Sequence, residues 1–301
     1  MYLFRDTYGG LDELGVELNA NGMVNTFVAV GRFWYLPGWA FKCVEWFEGK
    51  FLLSQEVSES LGTVDGFVKK VVKATAEKLK TKTKGKESLS YPARLLEAGF
   101  SESETMAQCK DLIFAGTDST GMNLATIFRE LVTHPVVYAK LREEIMSAKS
   151  IQEEDLQSLP YLRGVIQEGL RISMANPSRL PRIVPHGGWT FKGTYFPPST
   201  LVSCTPYELH LNDKVFDNAL EFQPERWLKP TEAMKRDTIP FGLGTRQCIA
   251  RNLASMELYC AVQRLVEEDV LKGAKCCLDN IVILEWFNSK VIDEKIELVW
   301  K

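Results

Sequence analysis

The sequence has few of the groups that would hold a metal through nitrogen. Its 301 residues contain three histidines, His134, His186 and His210, and no H-E-x-x-H pattern, which excludes a histidine-rich metal site. The seven cysteines are odd in number and include no C-x-x-C pair. That absence argues against a disulfide framework and a structural zinc site, and suits a reducing compartment. An excess of positive charge is missing too. With 36 Lys and Arg against 39 Asp and Glu, the net charge of -3 lacks the basic footprint of a nucleic-acid-binding domain. No signal peptide is visible at the start. The best membrane candidate, "VNTFVAVGRFWYLPGWAF" at residues 24–41, is interrupted by Asn25, Arg32 and Pro37, and so lacks a clean span of ~20 apolar residues. It reads as a buried or interfacial amphipathic stretch. Internal repeats are also absent.

What is present is ordinary in bulk. Apolar residues make up 45% and charged residues 25%, and the length suffices for one large core or two smaller ones. Residues 69–88, "KKVVKATAEKLKTKTKGKES", begin as an amphipathic helix and decay into a lysine-rich loop or linker reaching residue 90. From residue 101, Ser101 and Glu104 form a capping box. Leu112, Ile113, Leu124, Ile127, Phe128 and Leu131 then recur at helical spacing up to Pro135. Pro135 is placed to open the next helix, and a further one starts near Pro160. Residues 187–207 alternate, with turns at Gly193 and Pro197-Pro198, and read as short strands. Helix returns over residues 251–268, and residues 281–300 close as a hairpin. The fold class is mainly α with a small β portion.

Four short segments stand out. "AGTDST", residues 115–120, puts a glycine, three hydroxyls and a carboxylate in the middle of the long helix, where they are poor helix formers. Asp118 or Ser119 could cap a new helix there, or the break could open a groove with an acid and an alcohol placed to relay protons. "EGLR" sets Glu168 and Arg171 at i and i+3 on one helix face, a common surface pairing when alone. "PERW", residues 224–227, supplies Arg226 in a non-helical context, where it could join that pair in a buried three-charge network. In "PFGLGTRQCIARNLASME", residues 240–257, Cys248 ends a glycine-rich turn just before a helix. A buried loop thiol and a metal ligand are both open readings. Glycines let backbone approach a flat ligand, the helix start aims N–H groups at the sulfur, and Arg246 can pair with a carboxylate on the ligand's rim. A dinucleotide loop fails, because Gln247 occupies the third glycine's place and no strand precedes it.

In this order the four segments are specific. Phe241-x-x-Gly244-x-Arg246-x-Cys248 resembles the heme-binding signature of the cytochrome P-450 superfamily. "AGTDST", "EGLR" and "PERW" resemble its oxygen-activation helix, E-x-x-R helix and P-E-R-F-type segment. "FDNALEFQPERWL" is most similar to microsomal eukaryotic members, fungal ones in particular. The resemblance implies that family's fold, as a single partial domain over 1–301 with the heme-binding and oxygen-activation core in 101–301. Cys248 is then the axial ligand of the iron of heme b. Arg246 and Arg182 bind its propionates, Phe241 packs beside the thiolate, and Gly244 belongs to the loop. Glu168, Arg171 and Arg226 form the structural network. Asp118 and Ser119, with Thr120 beside them, are the acid–alcohol pair, and Ala115 and Gly116 leave room for oxygen. Phe114, Ser178 and residues 287–289 fall where the family meets substrate.

The implied activity is a heme-thiolate monooxygenase acting on a hydrophobic small molecule, a secondary metabolite or a xenobiotic. Its electrons come ultimately from NADPH through a reductase docking near Lys235, Arg236 and Arg251, on the cytosolic face of the endoplasmic reticulum membrane. A non-catalytic or weakly heme-binding family member is the alternative, and a heme-thiolate isomerase or dehydratase a third reading. Departures are mild at Ser119, where threonine is usual, and at Ala250, where glycine is. The family's W-x-x-x-R helix has no counterpart: Trp46-x-x-x-Lys50 carries lysine and lies 69 residues before Ala115 (115 − 46). The sequence is therefore expected to begin partway through the fold, truncated at its N-terminus and without the membrane anchor, which would leave this chain in the cytoplasm.

Overall fold

In the computed structural model, residues 33, 36–51, 55–81, 90–148, 152–278, 281–285, 288–292 and 296–300 are described. The helices are α1 (Gly38–Phe51), α2 (Gln55–Thr81), α3 (Tyr91–Glu97), α4 (Glu102–Thr133), α5 (Pro135–Ser147), α6 (Pro160–Ile172), α7 (Pro206–His210), α8 (Glu232–Asp237) and α9 (Arg251–Glu267). The short strands are β1 (Leu180–Ile183), β2 (Trp189–Phe191), β3 (Thr194–Phe196), β4 (Leu201–Cys204), β5 (Ala274–Cys276), β6 (Ile283–Leu284), β7 (Lys290–Val291) and β8 (Leu298–Trp300). They pair antiparallel as β1–β4, β2–β3, β5–β8 and β6–β7. The chain divides into two compact units, one ending at Asp118 and the other beginning at Ser119.

The first unit is built on α2, α3 and the first half of α4. Val64, Val68 and Val72, four residues apart, are buried in one stripe with Cys109. Ala76 continues the buried face, so the helix runs on to Thr81 through the first part of the lysine-rich stretch. Of residues 69–90, expected to begin as helix and pass into a lysine-rich loop or linker, the helical part reaches Thr81, since burial of one face outweighs the solvated lysines on the other. Residues 82–89 lie outside the described residues, as do 24–32 of the apolar stretch near the N-terminus. Among the described residues no helix is long and apolar enough to cross a membrane.

The capping box opens α4. The Ser101 N–H donates to Glu104 Oε2 at 2.9 Å, and Ser101 Oγ accepts from the Glu104 N–H at 3.2 Å. The same serine's side-chain and backbone hydrogen bonds hold the Glu104 carboxyl below its ordinary pKa. The expected interruption at residues 115–120 is absent, because α4 is continuous and neither Asp118 nor Ser119 caps a helix. Thr117 Oγ1 donates to the Ile113 carbonyl at 2.7 Å, a bond that accommodates the hydroxyl inside a helix. Cys109, on one side of this stretch, is buried in the first unit's core, and Ile127 and Leu131, on the other, in the second's. Packing at both ends thus overrides the weak propensity between them.

In the second unit α6 is the axis. It is buried nearly all round, against α5, α9 and the 3₁₀ turn Pro224–Trp227. Two of its first N–H groups, on Tyr161 and Leu162, donate to the Glu144 carboxylate of α5, both at 2.8 Å. A distant carboxylate thus does the work of a local N-cap. Lys192 and Gly193, with φ of 47° and 81°, make the β2–β3 turn. In the C-terminal stretch β6 and β7 form the expected hairpin, while β8 returns to β5 through a pairing of distant residues.

Gly164 on α6 faces the Pro224 carbonyl oxygen so closely that a Cβ there would lie 2.7 Å from it. Gly164→Ala should push the turn off the helix and destabilise the chain by about 1–3 kcal/mol. Gly66→Ala, on an open face of α2 with nothing within 4 Å, should stabilise it. The gain expected is about 0.5–1 kcal/mol. Urea unfolding of the two variants should give shifts of opposite sign.

Candidate functional site

Two neighbouring assemblies of the second unit hold the cysteine loop and the ion network singled out by sequence. The first is the ion network of α6. Glu168 and Arg171 are both fully buried, and Arg171 grips the carboxylate with Nε to Oε2 at 2.9 Å and Nη2 to Oε1 at 2.7 Å. Its remaining N–H groups reach the carbonyls of His210 at 2.7 Å, Ala219 at 2.6 Å and Glu221 at 3.2 Å. Every guanidinium N–H therefore has an acceptor. The Phe216 ring lies 4.9 Å from the guanidinium carbon. Glu168 Oε1 also accepts from Arg226 Nε and from the Gln223 N–H, each at 3.0 Å. Its Oε2 accepts from Trp227 Nε1 at 2.7 Å. Glu168, Arg171 and Arg226 are thus one network, to which Trp227 and three carbonyls belong that sequence reasoning missed. "PERW" contained the tryptophan, but nothing in the spacing said that its indole points at the carboxylate.

The rim of the network is tied separately. Glu225 Oε1 accepts from Lys140 Nζ at 2.6 Å and Tyr161 Oη at 2.8 Å. Burial, with the hydrogen bond to Glu225, raises the Tyr161 phenol above its ordinary pKa.

The second assembly is the cysteine loop. Gly242 and Gly244 take φ of 68° and 72°, the left-handed region that a side chain resists. A 3₁₀ turn, Gly244–Arg246, follows, and the Cys248 N–H donates back to the Phe241 carbonyl at 2.9 Å, closing the loop. Helix α9 starts three residues later. The Cys248 thiol is exposed, so the buried-thiol reading falls. Leu243 and Ile249 beside it are also exposed, Ile249 by 96%. Strand β1 borders the loop: Arg182 Nη2 donates to the Leu243 carbonyl at 3.3 Å, and Leu180 lies against Gly242. Arg246 is exposed on the turn.

The remaining residues are placed as follows. Ala115 and Gly116 are exposed on α4, and Asp118, Ser119 and Thr120 half-buried. Ala115, Gly116 and Asp118 fall in the first unit, Ser119 and Thr120 in the second. The Ser119 carbonyl accepts from Asn123 Nδ2 at 2.8 Å. Ser178, Asn288 and Ser289 are buried, with Asn176 Nδ2 donating to Asn288 Oδ1 at 2.6 Å, while Phe287 lies outside the described residues. Two of the three cations expected at a reductase face are engaged with acids, Lys235 with Glu232 at 2.7 Å and Arg236 with Asp237 at 2.6 Å. Trp46 and Lys50 sit on α1, Nζ 5.1 Å from the ring.

The model of the family described as Cytochrome P450 matches residues 18–268. The chain belongs to the cytochrome P450 family. Cytochrome P450 monooxygenase mfmF of Annulohypoxylon moriforme is 34% identical over 317 residues, covering 99% of this chain and 63% of that protein. Cytochrome P450 monooxygenase BOT1 of Botryotinia fuckeliana is 40% identical over 48% of the chain and 29% of its own length. A protein named inactive cytochrome P450 monooxygenase cloA, of Claviceps fusiformis, is 39% identical over 50% of the chain and 30% of its own length. The chain thus spans less than two-thirds of the length of these relatives. The cysteine loop fits the heme that the family implies: an exposed thiol for iron, apolar surface at Leu243 and Ile249 for the ring, and guanidinium groups at Arg182 and Arg246 for its carboxylates.

One histidine of this P450 links the two assemblies although its place in the sequence points to no role. His210 is 2% exposed; its Nδ1 lies 3.2 Å from the Arg171 carbonyl and its Nε2 2.9 Å from the Ile239 N–H. Burial, helped by the Arg171 charge, pushes its pKa down to about 4. In the unfolded chain a histidine titrates near ~6.5, so unfolding takes up a proton at any pH between the two values. Stability should therefore fall as the pH drops from ~6.5 towards 4, and urea midpoints measured across that window should flatten in His210→Gln.

The ion network makes a second prediction. Trp227→Phe keeps a smaller aromatic ring but deprives the buried Glu168 carboxylate of one donor, and should cost about 1.5–3 kcal/mol in urea unfolding. Glu168→Gln strands two arginines and should cost about 3–5 kcal/mol.

Proposed function

We propose that this chain carries the heme-binding and oxygen-activating part of a monooxygenase, with Cys248 as the iron ligand. The observation that carries the reading is the exposed Cys248 thiol at the end of a loop with two left-handed glycines, bordered by Arg182 and an apolar rim. Bound there, heme would supply oxygen activation and the insertion of one oxygen atom into a substrate, using two delivered electrons. The chain's own residues do the rest. Arg182 and Arg246 neutralise the carboxylates of the ring, and Gly242 and Gly244 let the backbone come near it. Phe241 closes the loop through its carbonyl and covers the side of the ligand. Asp118 and Ser119, with Thr120, hold and pass protons through carboxyl and hydroxyl oxygens. Ala115 and Gly116 keep the adjoining helix surface free of bulk. Glu168, Arg171 and Arg226 hold α6 against the Pro224–Trp227 turn.

The substrate of this reading is a hydrophobic small molecule of secondary metabolism, met by Phe114, Ser178 and residues 287–289. Electrons come ultimately from NADPH through a reductase near Lys235, Arg236 and Arg251. The full-length protein belongs at the cytosolic face of the endoplasmic reticulum membrane, and the core spans 101–301 of one partial domain. A second reading, heme binding without turnover, is favoured by the relative from Claviceps fusiformis that is named inactive at 39% identity.

The chain, given heme, reduced and exposed to carbon monoxide, should show a difference band near ~450 nm, the mark of thiolate ligation. Cys248→Ala should abolish both the band and any reductase-driven turnover; turnover that survives the change would refute the assignment. Ser119→Ala should keep the band and lower turnover by about 10²-fold. A band without turnover in the unchanged chain would select the second reading.

A further inference from the structure

We propose that His210 is a positioning residue for the cysteine loop. Its neutral imidazole, clamped between Arg171 and Ile239, sets the register of the loop against α6 and so the place of Cys248. The consequence for heme rests on the reading of Cys248 as ligand, whereas the clamp is a property of the chain itself.

The clamp has two sides. On α6, Arg171 is bound twice by this one residue: its Nη1 donates to the His210 carbonyl at 2.7 Å, and its own carbonyl lies 3.2 Å from His210 Nδ1. On the loop, the Ile239 N–H meets His210 Nε2 at 2.9 Å. A backbone N–H can only donate and a carbonyl can only accept. Nε2 must therefore present its lone pair and Nδ1 must carry the proton. A protonated ring would set one N–H against another and add a cation beside the Arg171 guanidinium. Burial pushes the pKa in the direction that this geometry requires.

The bonds continue from Ile239 to the cysteine. The Gly242 N–H donates to the Ile239 carbonyl at 3.0 Å, and the Cys248 N–H to the Phe241 carbonyl at 2.9 Å. Pro240, which has no N–H, leaves Ile239 as the donor at the loop's entry. Through His210 the buried ion network, in which every Arg171 donor is satisfied, takes hold of a loop whose outer face is exposed.

The test begins on the chain without heme. Ring nitrogen shifts by NMR, with the His210 signals assigned by their loss in His210→Gln, should show an unprotonated Nε2 and a protonated Nδ1 near neutral pH. The opposite tautomer, or an imidazolium, would overturn the proposal. Amide exchange is the second readout. His210→Phe fills the volume without an acceptor and should speed exchange at Ile239, and with it at Cys248, by about tenfold. His210→Gln, whose Oε1 reaches the place of Nε2, should restore most of the protection, and His210→Asn, which reaches only the place of Nδ1, should not. Should His210→Phe fail to fold, the order of Gln over Asn decides. Equal exchange in all folded variants would mean that the ring only fills space, and would sink the idea. In the heme-loaded chain the carbon monoxide band should move to the blue in His210→Asn and stay in His210→Gln. A wild-type chain that takes up no heme counts against Cys248 as ligand and leaves the exchange result standing.

Discussion

A single carboxylate without access to water organises the second unit. Glu168 accepts hydrogen bonds from both arginines of its network, from an indole and from a backbone amide. Burying its charge is tolerable only because the partners are complete, and a missing one would strand charge in the interior. The consequence is geometric. Arg171 extends the network to carbonyls of residues 210, 219 and 221, and Arg226 to that of Asp217. A stretch with almost no regular structure is thereby pinned to α6 at many points. Hydrogen bonds to a charged group are the stronger kind, so this irregular segment is held without a regular ladder.

The cysteine loop inherits that rigidity at its entrance and leaves its outer face open. It is shaped by two left-handed glycines and by three backbone bonds of its own, from the N–H groups of Gly242, Gln247 and Cys248 to the carbonyls of Ile239, Gly244 and Phe241. Arg182 steadies it from β1, and His210 from the network side. An exposed thiol with exposed Leu243 and Ile249 is an uncomfortable surface in water. The same surface is what a flat apolar ligand with anionic edges would cover. Rigid support behind an open face is the arrangement that holds a ligating atom in place.

Much of this was legible in the sequence, and the residues show why. Helices opened by Pro135 and Pro160, the Ser101–Glu104 capping box and the i, i+3 pair Glu168–Arg171 follow from chemistry within one turn of helix. The turn at Gly193 is equally local. At residues 115–120 propensity argues for a break, whereas packing of the two halves of α4 decides for a continuous helix. In the lysine-rich stretch, too, packing decides how far the helix runs: Val68, Val72 and Ala76 carry it past its charges.

The sequence by itself determined the family, the cysteine proposed as ligand and the presence of two arginines and a glutamate that could pair, since order and spacing of chemical types are written along the chain. Only the tertiary structure decided which donors complete the Glu168 carboxylate, that β8 pairs with β5, and that His210 is neutral with its proton on Nδ1. Those facts depend on partners 22 to 59 residues apart along the chain (298 − 276 and 227 − 168), which meet only when the core closes. A histidine's spacing says nothing of what its two nitrogens will face; burial beside Arg171 and the Ile239 N–H, both products of packing, settle its protonation and hence its work.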